Sequence, residues 1–162
     1  MKIIIMSDSH GDKETVKAVS SLPADAHFHC GDSELQFTDA CLASFYKVRG
    51  NCDYDAKFPK EVCVTVKGKT VLVVHGHEHN VKSSLMELYY RAQEKNADIV
   101  LFGHSHLLGV EMKDDILFLN PGSTMYPRGG NADTYAVIEW NEHPIITFKN
   151  IDHQVVNTVE IN

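Results

Sequence analysis

The sequence predicts an α/β protein, and two observations carry the prediction. From Met1 to about Phe102, short apolar or β-branched runs alternate with helix-period segments, which implies a largely parallel sheet. After Gly109 strands follow one another in succession, and these are expected to pair antiparallel and complete a second sheet against the first.

The early runs are KIIIM, AHFHC, FYKVRG, KTVLVV and DIVLF, each followed by a Gly or polar cluster, and they read as buried strands. Between the first two, GDKETVKAVSSL begins with a capping-type Asp12 and sets Val16, Val19 and Leu22 on one side. Before the last, SSLMELYYRAQEKN brings Leu85, Leu88, Tyr89 and Ala92 together at helical spacing, a stripe assigned to the core. The later strands are GVEMK, ILFLN, TYAVIEW, PIITFKN and QVVNTVEI, with KDD and NEH as turns. No repeat, low-complexity tract or linker divides the chain, so residues 1–162 are expected to form one domain.

At 162 residues the chain can bury about two-thirds of its unfolded surface without staples. Cys30, Cys41, Cys52 and Cys63 form no CxxC pair, and the thiols are expected to be reduced, as in a cytoplasm. MKIIIM is too short for a signal-peptide core, and no apolar run approaches a membrane span, so a cytoplasmic protein without membrane contact is expected. A net charge of −7 opposes an extended nucleic-acid surface, because such binding relies on Lys and Arg displacing counterions. An anionic substrate would need a local positive centre.

The strand ends supply one. SDSH, CGDS, RGNCD, VHGHEH and FGHSH follow the early strands, and each offers Asp, Asn or His. In α/β sheets ligands gather beyond the carboxyl ends of the strands, so Asp8, His10, Asp32, Asn51, His75, His104 and His106 are expected to converge. Oxygen and imidazole donors suit Mn²⁺, Fe or Zn²⁺. Seven donors exceed what one four-coordinate ion uses, and a carboxylate such as Asp32 can bridge a pair. Two ions, less the charges of Asp8, Asp32 and a bridging hydroxide, leave a local charge of about +1, enough to draw a phosphate ester to an acidic protein.

In this order, DSH, GD, GNCD, HGH and GHSH resemble the calcineurin-like metallophosphoesterase superfamily, whose pattern runs DxH, GD, GNH with an acidic residue, H, then GHxH. The short length and the NPGS at Asn120 to Ser123 resemble its small bacterial and archaeal phosphodiesterase branch of YfcE type. The resemblance implies a four-layer α/β/β/α sandwich, two central mixed sheets flanked by helices, with a dinuclear site at the sheet edges. It allots Asp8, His10, Asp32 and His106 to one ion and Asp32, Asn51, His75 and His104 to the other, with Asp32 as the bridge. If the segment is strand-like, His104 and His106 face the site together while Ser105 turns aside. Mn²⁺ comes first by family analogy, with Fe, Zn²⁺, Ni²⁺, Co²⁺ and Mg²⁺ as alternatives.

Cys52 stands where the superfamily's pattern has His, with Asp53 in the acidic position. Loss of that general acid should matter most for poor leaving groups, so phosphodiesters or activated esters are expected over alkyl monoesters. His77 could replace it as proton donor or line the entrance. Ser123 and Arg128 are candidate substrate contacts, Arg by a bidentate grip on phosphate. Arg49 is a weaker candidate, and His29, His79, His143 and His153 receive no role. The expected partner is a small phosphate ester, hydrolysed by a bridging hydroxide in line with the departing oxygen. The rival reading is a non-catalytic interaction module resembling the small retromer subunit, and a redox or metal-storage role is remote. Strands after Gly109 could support a homo-oligomer, but no pattern fixes its symmetry.

Overall fold

The computed structural model describes residues 1–162. Its elements run β1 (Lys2–Met6), α1 (Lys13–Ser20), β2 (Ala26–His29), β3 (Phe45–Lys47), β4 (Glu61–Val66), β5 (Lys69–Val74), α2 (Met86–Glu94), β6 (Ile99–Leu101), β7 (Gly109–Lys113), β8 (Ile116–Asn120), β9 (Thr134–Trp140), β10 (Pro144–Asn150) and β11 (Val155–Glu160). Ten strands and both helices fall where the sequence places them. β4 is additional.

Local chemistry explains the helix ends. Asp12 caps α1 by accepting the Thr15 backbone N–H at 3.3 Å and its hydroxyl at 2.6 Å. Leu22 lies beyond the end of α1, leaving Val16 and Val19 as its buried stripe. No side chain caps α2, which is held instead by its buried Leu88 and Ala92.

The strands do not segregate as expected. One sheet has the order β11-β10-β9-β1-β2-β3 and the other β4-β5-β6-β8-β7. Each therefore mixes early and late strands: β1 pairs parallel with β2 and antiparallel with β9, while β6 pairs parallel with β5 and β8. Hairpin spacing identifies local partners, but β1 reaches β9 far along the chain and β6 passes over β7 to pair with β8.

Period-two alternation then builds four layers. Ile3 and Ile5 of β1 meet Val71 and Val73 of β5 and Leu117 and Leu119 of β8 in the core between the sheets. Ile4 and Met6 point the other way, onto Val16 and Val19 of α1. Leu72, Val74, Val100 and Phe118 pack outward against Leu88 and Ala92 of α2. At about 1.5–3 kcal/mol for each fully buried aliphatic side chain, these three clusters hold the α/β/β/α order. The four cysteines are free thiols. No helix is long and apolar enough to cross a membrane.

Candidate metal centre

The site forms where the carboxyl ends of β1, β2, β3, β5 and β6 meet along one edge of the two sheets. Beyond those ends the chain turns sharply. Asp8, His10, Asp32, His104 and His106 all have left-handed backbone, with φ of 54°, 43°, 57°, 70° and 59°. Asp and His tolerate this region better than most residues, and such strain, about 1–3 kcal/mol per residue, collects at functional sites. His104 and His106 are therefore not on a strand. They diverge through successive left-handed turns rather than by strand alternation.

Asp8 Oδ1 is the centre of one group, 3.1 Å from His106 Nε2 and 3.8 Å from His10 Nε2. His75 Nε2 lies 3.1 Å from Asp32 Oδ2 and 3.7 Å from Asp8 Oδ1. The ligand atoms of Asp8, His10 and His106 lie within 4.8 Å of one another, and so do those of Asp8, Asp32 and His75. Asp8 is the member common to both groups. Beside them, His104 Nδ1 is 3.1 Å from Asn51 Oδ1, and the His104 and His75 rings are 5.1 Å apart. All seven donors expected at the strand ends thus occupy one contiguous cluster.

Two glycines permit this density. A Cβ on Gly50 would strike Asp32 Oδ1, and one on Gly103 would strike Ser7 Oγ and come within 2.5 Å of Asp8 Oδ2. No other residue type fits either position without moving a donor.

Backbone and carboxylate oxygens aim the imidazoles. His75 Nδ1 donates to the Cys30 carbonyl at 2.7 Å, and His106 Nδ1 to the Tyr126 carbonyl at 2.7 Å, leaving each Nε2 as the lone-pair nitrogen toward the cluster. His10 Nδ1 lies 2.8 Å from Glu34 Oε1. Glu34 and Tyr126 were not singled out by the sequence reading. The only available signal for Glu34 was its place two residues after Asp32.

Burial opposes ionisation of Asp8 and Asp32, yet the imidazoles of His106 and His75 outweigh it and hold both carboxyls below the usual range. Burial, with His75 beside it, lowers His104 to about 4, so its ring is a neutral donor near pH 7. Burial and the Asp32 carboxylate push the Cys52 thiol up to about 11. It is a thiol, not a thiolate nucleophile. Its backbone N–H donates to Asp32 Oδ1 at 2.8 Å.

The remaining expected residues divide. His77 lines a cleft of about 330 Å³ with Arg49, Gly50, Asn51, Asp53, Lys60 and Glu78, its ring 6.1 Å from that of His104. Burial and His75 lower its pKa. Asp53 is buried, and its carboxylate accepts the backbone N–H groups of Asp32, Gly50 and Glu34 at 2.9, 2.7 and 2.9 Å. Every one of these bonds holds backbone, so Asp53 fixes the position of Asp32 from a place in the wall of the cleft. Arg49 donates to the carbonyls of Asp53 and Tyr54. Ser123, expected to contact substrate, is corrected: it is fully buried, donating to the Asp8 carbonyl at 2.7 Å and accepting the Tyr126 N–H at 2.8 Å. It anchors a loop behind Asp8. Arg128 donates its backbone N–H to the His106 carbonyl at 3.0 Å and is exposed.

The donors fit divalent ions. Asp8 Oδ1, His10 Nε2 and His75 Nε2 are buried without a hydrogen-bond partner, although charged or ring atoms lie within 4 Å of each. Unpaired buried polar atoms cost about 1–3 kcal/mol apiece, and atoms close but not aligned for hydrogen bonds suit a shared cation.

Two facing sheets with clustered carboxylates and imidazoles at one edge define a metal-binding α/β sandwich. The family model of the calcineurin-like phosphoesterase superfamily domain matches residues 1–143, and the chain belongs to that superfamily. The probable metallophosphoesterase YsnB of Bacillus subtilis is 40% identical over 141 residues, covering 85% of this chain and 83% of that protein. The phosphodiesterase YfcE of Escherichia coli is 28% identical over 71% of this chain and 62% of its own length. Among solved structures, a predicted phosphoesterase from Streptococcus pneumoniae superposes with a TM-score of 0.96 at 35% identity, covering 99% of this chain and 96% of that one. Vps29 of Entamoeba histolytica, in complex with zinc, gives 0.78 at 17% identity over the full length of both chains, a likeness of fold alone.

Proposed function

We propose that the protein is a metal-dependent phosphodiesterase whose site would hold two divalent ions, Mn²⁺ foremost, between Asp8, His10, Asp32 and His106 on one side and Asp32, Asn51, His75 and His104 on the other, with Asp32 as the shared carboxylate and Asp8 Oδ1 also within reach of both groups. The buried, unpartnered Asp8 Oδ1, His10 Nε2 and His75 Nε2 carry this reading. Ions held there supply Lewis acidity toward phosphoryl oxygens and toward water.

The chain's own groups do the rest. The Cys30 and Tyr126 carbonyls and the Glu34 carboxylate fix three imidazoles so that their donor nitrogens are preset. Asp53 and the Cys52 N–H hold Asp32. The adjoining cleft brings the cations Arg49 and Lys60 beside the donors, Lys60 being paired with Glu78 at 3.1 Å, and His77 is the imidazole that would meet the leaving oxygen there. Its lowered pKa leaves it largely neutral near pH 7, a modest proton donor. Activated or diester substrates, whose leaving groups need less protonation, are therefore favoured.

Hydrolysis of bis(p-nitrophenyl) phosphate with and without Mn²⁺ tests the proposal. Metal-dependent turnover that Asp32→Asn abolishes supports it. Inactivity with every divalent metal and both ester classes would favour a scaffold of the same fold.

A further inference from the structure

We propose that Tyr126 is a stacking platform for a planar, aromatic ester group of the substrate, an inference that rests on the phosphodiesterase reading. The residue is 55% exposed, yet its ring centroid lies only 5.3 Å from that of His10, which belongs to the donor cluster.

That exposure is built. The Tyr126 N–H donates to Ser123 Oγ at 2.8 Å, its carbonyl accepts from His106 Nδ1 at 2.7 Å, and Ser123 Oγ in turn donates to the Asp8 carbonyl at 2.7 Å. Two donors of the cluster and the backbone of Tyr126 are therefore one connected unit. The backbone that carries the ring cannot drift from the site without breaking these bonds. Neighbouring Met125 and Leu107 are also exposed, at 41% and 46%, and Leu107 directly follows His106. The centre thus has an aromatic and apolar flank here, whereas the cleft at Arg49, Lys60, His77 and Glu78 is polar.

A phosphate ester has the same two-sided character. Its charged oxygens suit the donors and the polar cleft, and its organic group needs a surface that replaces water. A tyrosine face meets that need best for a flat ring, since stacking adds to area burial. Both an aryl group joined directly to the ester oxygen and a nucleobase carried one sugar away present such a face.

Calorimetric titration of the Mn²⁺-loaded protein with phenyl phosphate, adenosine 5′-monophosphate and methyl phosphate tests the proposal without turnover. Phenyl phosphate, adenosine monophosphate or both should bind more tightly than methyl phosphate, and which of them does so distinguishes the two sources of the ring. Tyr126→Ala, which keeps the carbonyl to His106, should cut that preference about 5- to 100-fold, while Tyr126→Phe should retain it. Methyl phosphate reports whether the site remains intact. Equal affinities for the three, or a preference that survives Tyr126→Ala, would overturn the platform alone. Binding of none of them would overturn the phosphodiesterase reading as well.

Discussion

The carboxylate of Asp53 accepts the backbone N–H of Asp32 at 2.9 Å, so a residue of the loop between β3 and β4 fixes the donor after β2. The same carboxylate also takes the N–H groups of Gly50 and Glu34. Asp53→Ala leaves three backbone donors without acceptors. Each such loss costs about 1–3 kcal/mol. The expected result in thermal denaturation is a fall in Tm of about 10 °C, accompanied by weaker metal uptake. An unchanged Tm would show that the three bonds are replaceable by water.

Glu34 acts on His10. An outer carboxylate that orients a ligating imidazole is worth about 10- to 100-fold in metal affinity. Glu34→Ala should lower Mn²⁺ affinity by that amount, measured by calorimetry, with far-UV circular dichroism unchanged. Glu34→Gln, which keeps an oxygen acceptor, should lose less. Equal losses in the two variants would contradict orientation by hydrogen bonding.

His29 is fully buried, its Nε2 2.9 Å from Ser9 Oγ and its Nδ1 accepting the Gly31 N–H at 3.1 Å. Burial lowers it to about 4 from an ordinary 6.5. With a depressed pKa on a base, the stabilisation is complete above about pH 6.5 and is lost as pH falls toward 4, because the unfolded chain takes the proton first. His75 and His106 are raised, and their contribution runs the other way, fading as pH rises above 6.5. Comparison with His29→Gln isolates the first effect. Urea unfolding of metal-free protein should show the unaltered chain's advantage over the variant to be about 2 kcal/mol smaller at pH 5 than at pH 7. A difference independent of pH would refute the assignment.

Cys52→His restores a proton-carrying group beside Asp32. General acids contribute about 10²–10⁴-fold. The variant should gain alkyl monoester hydrolysis relative to both p-nitrophenyl phosphate and diester hydrolysis, compared by steady-state kcat/KM. No change in that ratio would mean that His77 or water already serves the leaving oxygen.

Much of this was readable in the chain. Ile3 to Met6, Val71 to Val74 and Ile99 to Leu101 announce themselves as strands because both faces are apolar. β4 does not: Glu61, Cys63 and Thr65 interrupt its apolar positions on an outer strand, and only pairing with β5 reveals it. Which strands share a sheet was not legible, since β1 to β9 and β6 to β8 are tertiary choices. The seven donors were legible because each ends a strand. Their aim was not, because it depends on left-handed φ angles and on distant oxygens at Cys30 and Tyr126. Ser123 looked like a substrate contact only while its bond to Asp8 was unseen.

The proposed hydrolysis requires these donors to draw two cations to one place. Anomalous diffraction at the manganese edge, from crystals soaked in Mn²⁺, measures this directly. Two peaks about 3.5–4 Å apart, one against Asp8, His10 and His106 and one against Asn51, His75 and His104, are expected. A map without a peak at Asp8, under conditions where the crystals demonstrably contain the metal, would contradict it.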